Sequence, residues 1–322
     1  MSDLVVTQKD SVYISVDCDR GIAQELSEFF TFKVPGYQFM PSYRNKMWDG
    51  TIKLYNIYKQ ELYAGLEDYV QAFANERDYT VTFNTPLVPK NDVLREEVEE
   101  YINDTLQPAF KDEILKAYDH QIDAVHHAIN NNRCLLLSPT ASGKSLIIYS
   151  LIRHYMEKLP KDKKILVIVP TVSLVTQMYE DFKEYSKADR TFDVAAECHT
   201  VFANQEKIND SRIIISTWQS IYKCGQKYFD NFGAVFGDEC HLFKSKSLTS
   251  IMSKLKNCPY RIGTTGTLDG TQTHKLVIEG LFGSVYNVIK TNELMDKDLL
   301  AKLSIECILL KYSEKTRKEL KR

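Results

Sequence analysis

The chain has 322 residues, 43% apolar and 26% charged, with a formal net charge of −2, which leaves room for a sizeable core and two domains and excludes an all-round basic field, so any nucleic-acid contact has to be a local surface. The seven cysteines (18, 134, 198, 224, 240, 258 and 307) form no Cys-x-x-Cys pair and the seven histidines do not join them at zinc spacing; this argues against a disulfide framework or structural zinc and fits a reducing cytoplasm. Met1-Ser-Asp-Leu4 opens no secretory signal, and no apolar run is long enough to span a bilayer, so no membrane partner is expected.

Residues 1–88 read as a small α+β unit. Ser11-Val-Tyr-Ile-Ser-Val16 alternates as a half-buried strand does, and Ile22, Leu26, Phe29 and Phe30 follow Gly21 at helical spacing. Phe32–Tyr58 is dense in aromatic and β-branched residues and is broken by Pro35-Gly36, Pro41 and Asp49-Gly50, a pattern that predicts antiparallel strands joined by turns. A helix over Leu66–Arg77 and a strand over Tyr79–Phe83 complete the unit. Thr31–Gln60 carries Lys33, Arg44, Lys46, Lys53 and Lys59 against a single acid, Asp49, interleaved with Phe32, Tyr37, Phe39, Tyr43, Trp48, Tyr55 and Tyr58. Cations hold phosphates and aromatic faces meet bases, so Arg44, Lys46 and Lys53 are candidate nucleic-acid contacts. Most of the aromatics are expected to fill the core of the small sheet instead.

Pro86–Pro89 reads as a linker. Within 89–113 a helix is expected over Asn91–Gln107, with Val93, Leu94, Val98, Tyr101, Ile102 and Leu106 on one face and Glu96, Glu97, Glu99, Glu100 and Asp104 on the solvated one. From 114 to about 300 helices alternate with short, continuous apolar strands, the pattern of a parallel α/β sheet. The helix Tyr118–Asn130 leads to the strand Cys134–Leu137. Further strands are Lys164–Val169, Arg212–Ile215, Ala234–Phe236 and Arg261–Gly263, with a helix over Ser173–Tyr185. Functional loops of such a sheet sit at the strands' carboxyl ends.

Two of those ends carry chemistry. Ser138-Pro-Thr-Ala-Ser-Gly-Lys-Ser145 lies between a strand and an amphipathic helix, the setting of a phosphate-binding loop, although Ser138 stands where such loops usually have glycine. The backbone of Thr140, Ala141, Ser142 and Gly143 and the following helix N-terminus would face phosphate, Lys144 would place its charge on the β- and γ-phosphates, and Ser145 would offer its hydroxyl to Mg²⁺. Asp238-Glu-Cys-His241 follows an apolar strand; Asp238 suits Mg²⁺, Glu239 suits polarising an attacking water, and His241 suits relaying the state of the site.

In this order the segments resemble motifs I and II of the superfamily 2 helicases, DExH branch. Pro170–Gln177, including Thr171, is similar to motif Ia, and Ser216–Ser220, with Thr217 and Trp218, to the next strand-contacting motif. Thr265-Gly266-Thr267 is similar to motif III, which in the family couples nucleotide state to domain movement. Tyr118 and Gln121 are placed like the family's adenine-reading element. Gly36-Tyr-Gln-Phe39 and the Trp48-Asp-Gly50 turn extend the resemblance to bacteriophage members of the superfamily that remodel branched DNA. The resemblance implies one RecA-like, phosphate-loop domain preceded by a small α+β nucleic-acid-binding domain, ATP and Mg²⁺ as cofactors, branched or duplex DNA as partner, and the host cytoplasm as location. It also implies a second RecA-like domain, in cis or in trans, with 301–322 as the start of the connection to it. No arginine-rich motif follows Thr267, so this chain alone is expected to hydrolyse ATP weakly. Two alternatives stay open: a duplex translocase of a restriction system, and a non-catalytic DNA-binding protein with a vestigial ATP site.

Overall fold

A computed structural model describes residues 2–84, 90–202, 206, 207, 209–268, 271–301, 306, 308 and 309. The expected Pro86–Pro89 linker, the division at residue 88, and the tail with Arg317 and Lys318–Arg322 lie outside the described residues.

The small unit starts with strands β1 (Leu4–Gln8) and β2 (Tyr13–Cys18), which bury Leu4, Val6, Ile14 and Val16 by strict alternation. Asp19 accepts from the backbone N–H of Ile22 and so starts α1 (Arg20–Phe29), whose Ile22, Ala23 and Leu26 face inward. The strands expected throughout Phe32–Tyr58 shrink to β3 (Thr31–Lys33) and β4 (Thr51–Lys53), an antiparallel pair. Between them the chain is helical: Gly36, at φ +70°, turns it into a 3₁₀ turn over Tyr37–Phe39, and Pro41 opens the short helix α2 (Pro41–Arg44). Proline's fixed φ suits a first helical turn, and its missing N–H cannot serve a ladder. Strand β5 (Glu61–Tyr63), helix α3 (Glu67–Glu76) and strand β6 (Val81–Phe83) follow, and the sheet order is β5-β2-β1-β6. The aromatics of Thr31–Gln60 do not fill this core as a group. Tyr55 is buried and Phe32 packs on the core, but Phe39 is 69% exposed because the helical excursion lifts it off the sheet, and Tyr58, in the turn before β5, is 97% exposed.

The connecting helix α4 (Arg95–Glu100) runs on as a π-turn over Tyr101–Leu106. Arg95 ties it to the next helix through Asp119 and Asp123, while Glu96, Glu97, Glu100 and Asp104 face solvent. A hairpin, β7 (Ala109–Phe110) and β8 (Glu113–Ile114), turns through Lys111 and Asp112, both at positive φ. Helix α5 (Asp119–Asn131) then leads to β9 (Arg133–Leu137), α6 (Lys144–Lys158), β10 (Lys164–Val169), α7 (Val172–Tyr185), α8 (Val194–Glu197), β11 (Cys198–Val201), β12 (Ile213–Thr217), α9 (Trp218–Ile221), α10 (Gln226–Phe229), β13 (Phe232–Gly237), α11 (Lys246–Lys254), β14 (Tyr260–Thr265), α12 (Gln272–Phe282), β15 (Val285–Asn287) and α13 (Thr291–Asp296).

The seven strands from β9 onward form one parallel sheet in the order β11-β12-β10-β13-β14-β9-β15. Both faces are covered, which is why β12 and β13 are buried at every position. Helices α5, α6 and α7 cover one face; α11, α12 and the small unit share the core of the other. Strand β9, which leads into the Ser138–Ser145 loop, sits beyond β14 and β13 from the next strand in sequence, β10, and this reversal opens a crevice at the carboxyl ends.

The small unit is seated on α12. A Cβ at Gly65 would lie 2.0 Å from the Glu279 carbonyl oxygen, and one at Gly280 would lie 2.8 Å from Tyr63 Cβ, so two glycines permit the approach. The Tyr69 hydroxyl donates to buried Glu279 (2.7 Å), Ser284 to Asp68 (2.8 Å), and the Ser11 N–H to the Lys256 carbonyl (2.9 Å). Beneath α12, fully buried Arg261 donates to the carbonyls of Cys258, Leu281, Met252 and Leu255, and Arg133 to that of Phe282. Each bond places a carbonyl oxygen on a charge that would otherwise be costly to bury.

Candidate nucleotide site and nucleic-acid face

The loop Ser138–Ser145 leaves the carboxyl end of β9 and enters the 15-residue helix α6. Buried Ser138, in the usual glycine position, braces the loop: its hydroxyl lies 2.6 Å from that of Ser142, which also lies 2.6 Å from the Pro139 carbonyl. Gly143 takes φ +78°, and a Cβ there would fall 2.0 Å from Gln121 Nε2. Glycine at this position is thus what lets Gln121 lie against the loop. Ala141 is also left-handed, at φ +67°. Lys144 Nζ donates to the carbonyls of Ser138 (3.2 Å) and Pro139 (3.5 Å), and Ser145 Oγ lies 3.0 Å from the Tyr185 hydroxyl on α7. Burial pushes the Tyr185 phenol and the neighbouring Asp181 carboxyl above their ordinary ranges.

Gln121 and Tyr118 flank this loop at the start of α5. Gln121 accepts from the Tyr118 N–H (2.9 Å) and donates to the Ser142 carbonyl (3.1 Å). His120 was not among the residues expected from sequence. Its Nε2 lies 3.0 Å from the same Ser142 carbonyl, which can only accept, so Nε2 carries the proton; Tyr118 stacks on its ring at 5.6 Å. Its place directly before Gln121 on the first helical turn was the available signal.

Asp238 and Glu239 leave the end of β13, adjacent to β14. Asp238, 9% exposed, accepts from the Thr264 hydroxyl at 2.9 Å. Glu239 takes a left-handed φ of +52°. His241 Nδ1 lies 3.2 Å from Glu239 Oε2 and 3.1 Å from Thr265 Oγ1, and Thr265 donates onward to the Thr267 carbonyl (3.0 Å). A Cβ at Gly266 would be 3.9 Å from Lys144 Nζ. The segment Thr264–Thr267 therefore lies between the acidic pair, which Thr264 reaches by a hydrogen bond and Thr265 through His241, and the loop lysine. A donor set of an ammonium, a hydroxyl and a helix N-terminus, with a glycine cradle on one side and two carboxylates on the other, fits a triphosphate with its Mg²⁺.

The predicted nucleic-acid residues fall in two places. At the carboxyl ends of β10 and β12, Thr171 caps α7 by accepting from the Leu174 N–H, Gln177 is exposed, and Pro170 and Trp218 are half-buried. Thr217 is only 4% exposed and lies 2.9 Å from Ser220 Oγ, so Trp218, not Thr217, reaches the surface there. On the small unit, Arg44, Lys46 and Lys53 line an open groove of about 960 Å³ with Tyr43, Met47 and Trp48. Trp48 Nε1 donates to the Thr51 carbonyl (2.8 Å), fixing the ring in the groove wall.

Residues 114–270 match the family described as "Type III restriction enzyme, res subunit", and residues 3–84 the family described as "DNA helicase UvsW, N-terminal". The chain is 32% identical over 319 residues to the ATP-dependent DNA helicase uvsW of Enterobacteria phage T4, covering 99% of this chain and 62% of the phage protein. It thus spans less than two thirds of that relative's length. A crystal structure of the UvsW helicase from bacteriophage T4 superposes with a TM-score of 0.80 at 33% identity, over 88% of this chain and 99% of that one. A second T4 UvsW structure gives a TM-score of 0.81 at 32% identity, over 90% of this chain and 58% of that one. With both its small unit and its parallel sheet matched in sequence and in fold, the chain belongs to the UvsW-like helicases of superfamily 2.

Proposed function

We propose that this chain is the ATP-binding and DNA-engaging part of an ATP-dependent DNA helicase that remodels branched or duplex DNA. The T4 relative, an ATP-dependent DNA helicase by name, supports the reading. The observation that carries it is the hydrogen-bonded run Glu239–His241–Thr265–Thr267, which links the acidic pair to the segment beside Lys144. Lys144 and the loop backbone hold phosphates, Ser145 and Asp238 hold the metal, and Glu239 orients and deprotonates water. Tyr118, His120 and Gln121 form the base side of the site. Mg²⁺, when bound, neutralises charge on the phosphates. A change at Glu239 reaches Thr267 through His241 and Thr265, a route by which hydrolysis moves protein.

DNA is met by the groove of Arg44, Lys46 and Lys53 and by the edge formed by Thr171, Gln177 and Trp218. A second RecA-like lobe, in cis or in trans, supplies the arginine that stabilises the transferring phosphoryl group. Among the described residues Arg133, Arg153 and Arg261 are committed to internal partners. The cytoplasm, where DNA and ATP meet, is the compartment this reading requires. The test is phosphate release by the 322-residue polypeptide, with and without forked DNA, beside a strand-separation assay. Slow release, abolished in Glu239→Gln, with DNA bound but not separated, is the expected outcome. Release that Glu239→Gln leaves unchanged would refute the assignment.

A further inference from the structure

The α7 side of the loop is not accounted for by that scheme. Ser145, the hydroxyl assigned to the metal, lies 3.0 Å from the hydroxyl of Tyr185, in the last turn of α7. The Asp181 carboxyl, one helical turn earlier, faces the same serine. Tyr185 is buried, with its ring 5.5 Å from that of Tyr149 on α6, so the phenol is held in place by packing between the two helices. When the Tyr185 hydroxyl donates to the Ser145 oxygen, it occupies one of that oxygen's two lone pairs and draws electron density from the other, the same lone pairs on which a metal must rely. Thr171, the N-cap at the other end of α7, and Gln177, in its second turn, stand exposed.

We propose that Tyr185 competes with the nucleotide's Mg²⁺ for the Ser145 hydroxyl, so that α7 sets nucleotide affinity and, through its exposed first turns, makes that affinity responsive to DNA. The proposal rests on the nucleotide assignment above. Removing one neutral hydrogen bond that opposes binding tightens binding by about two- to tenfold. The change is confined to the metal-bearing nucleotide, because only metal contends for the hydroxyl.

The experiment is calorimetric titration of the full 322-residue chain with a non-hydrolysable ATP analogue, in Mg²⁺ and in EDTA. Tyr185→Phe keeps the ring and its packing and removes only the hydroxyl. It is expected to bind the Mg²⁺ complex about two- to tenfold tighter than wild type and the metal-free nucleotide equally well. Tyr179→Phe, whose ring lies 4.7 Å from Lys183 Nζ, is the control on the same helix. In a Ser145→Ala background the effect of Tyr185→Phe should vanish. A short DNA duplex should tighten wild type and leave Tyr185→Phe unmoved. Equal or weaker Mg²⁺–nucleotide binding by the folded variant overturns the proposal, as does a gain that persists in EDTA or in the Ser145→Ala background. An equal DNA response of both proteins overturns the α7 link. Failure of wild type to bind nucleotide at all would refute the functional assignment instead.

Discussion

Gly65→Ala tests whether the small unit and the parallel-sheet unit behave as one cooperative body. The added Cβ would sit 2.0 Å from the Glu279 carbonyl oxygen and 2.8 Å from that of Gly280. Ordinary contact needs about 3.5 Å, so the two elements must separate by roughly 1.5 Å. Helix α12 cannot yield easily, because Arg133 and Arg261 hold its last carbonyls. The small unit must therefore lift. Overpacking of this kind costs about 1–3 kcal/mol, and straining the Tyr69–Glu279 bond, made to a carboxylate, adds up to about 1.5–3 kcal/mol. The chain has two tryptophans, Trp48 in the small unit and Trp218 at the end of β12. Trp48→Phe and Trp218→Phe backgrounds thus report each unit by fluorescence. With the parent sequence both signals should share one urea midpoint, as the continuous core requires. With Gly65→Ala the Trp48 signal should fall at lower urea, by an amount equivalent to about 1–6 kcal/mol, ahead of the Trp218 signal. Gly225→Ala is the control: φ is −74° and a Cβ there meets nothing within 4 Å, so it should change stability by less than about 1 kcal/mol. Coincident, unshifted transitions in Gly65→Ala would refute the packing argument.

Three further outcomes are expected. Lys144→Ala should weaken Mg²⁺–nucleotide binding about tenfold or more in calorimetry, since charge-assisted bonds contribute about 1.5–3 kcal/mol; equal affinities would count against the phosphate loop. Replacing Arg44, Lys46 and Lys53 together should flatten the slope of log K against log salt on duplex DNA by about 2.7, and an unchanged slope would make these cations a merely solvated face. Burial pushes the His154 imidazole down to about 4, with Lys158 adding to it. Between the ordinary histidine range and pH 4 the unfolded chain binds a proton that the folded chain refuses, so stability falls as pH is lowered through that window, by up to about 1.4 kcal/mol per pH unit from this group. His154→Phe should flatten that fall in urea titrations at stepped pH, and an identical pH profile would remove His154 as its source.

The strands of the parallel sheet were readable because each is buried on both faces and so appears as a continuous apolar run; Lys164–Val169 was bounded to the residue. The placement of Ser138–Ser145 between β9 and α6, and of Asp238 at the end of β13, was readable because an apolar strand gives way to small or charged residues at each point. The middle of Thr31–Gln60 was not, because its aromatics have strand propensity while Gly36 and Pro41 decide the backbone. Nor was the β7–β8 hairpin, whose turn puts Lys111 and Asp112 at positive φ without glycine. Arg261 is expected only as the start of a strand, and the fold alone reveals four carbonyl partners for it. For His120 the one signal, its place directly before Gln121, says nothing of the Ser142 carbonyl arriving from a loop 22 residues later.

The two arginines beneath α12 also decide how that helix can move. They meet its carbonyl end, where the helix dipole concentrates negative charge, and permanent cations there clamp the end electrostatically. The opposite end of α12 follows Thr265–Thr267 in the chain. Any swing of this helix is then a rotation about its carboxyl terminus, with the largest travel at Gln272, its amino end. The small unit is seated on Glu279 and Gly280, within a turn of the fulcrum, where travel is least. The basic groove would thus remain a fixed platform while the amino end of the helix travels furthest.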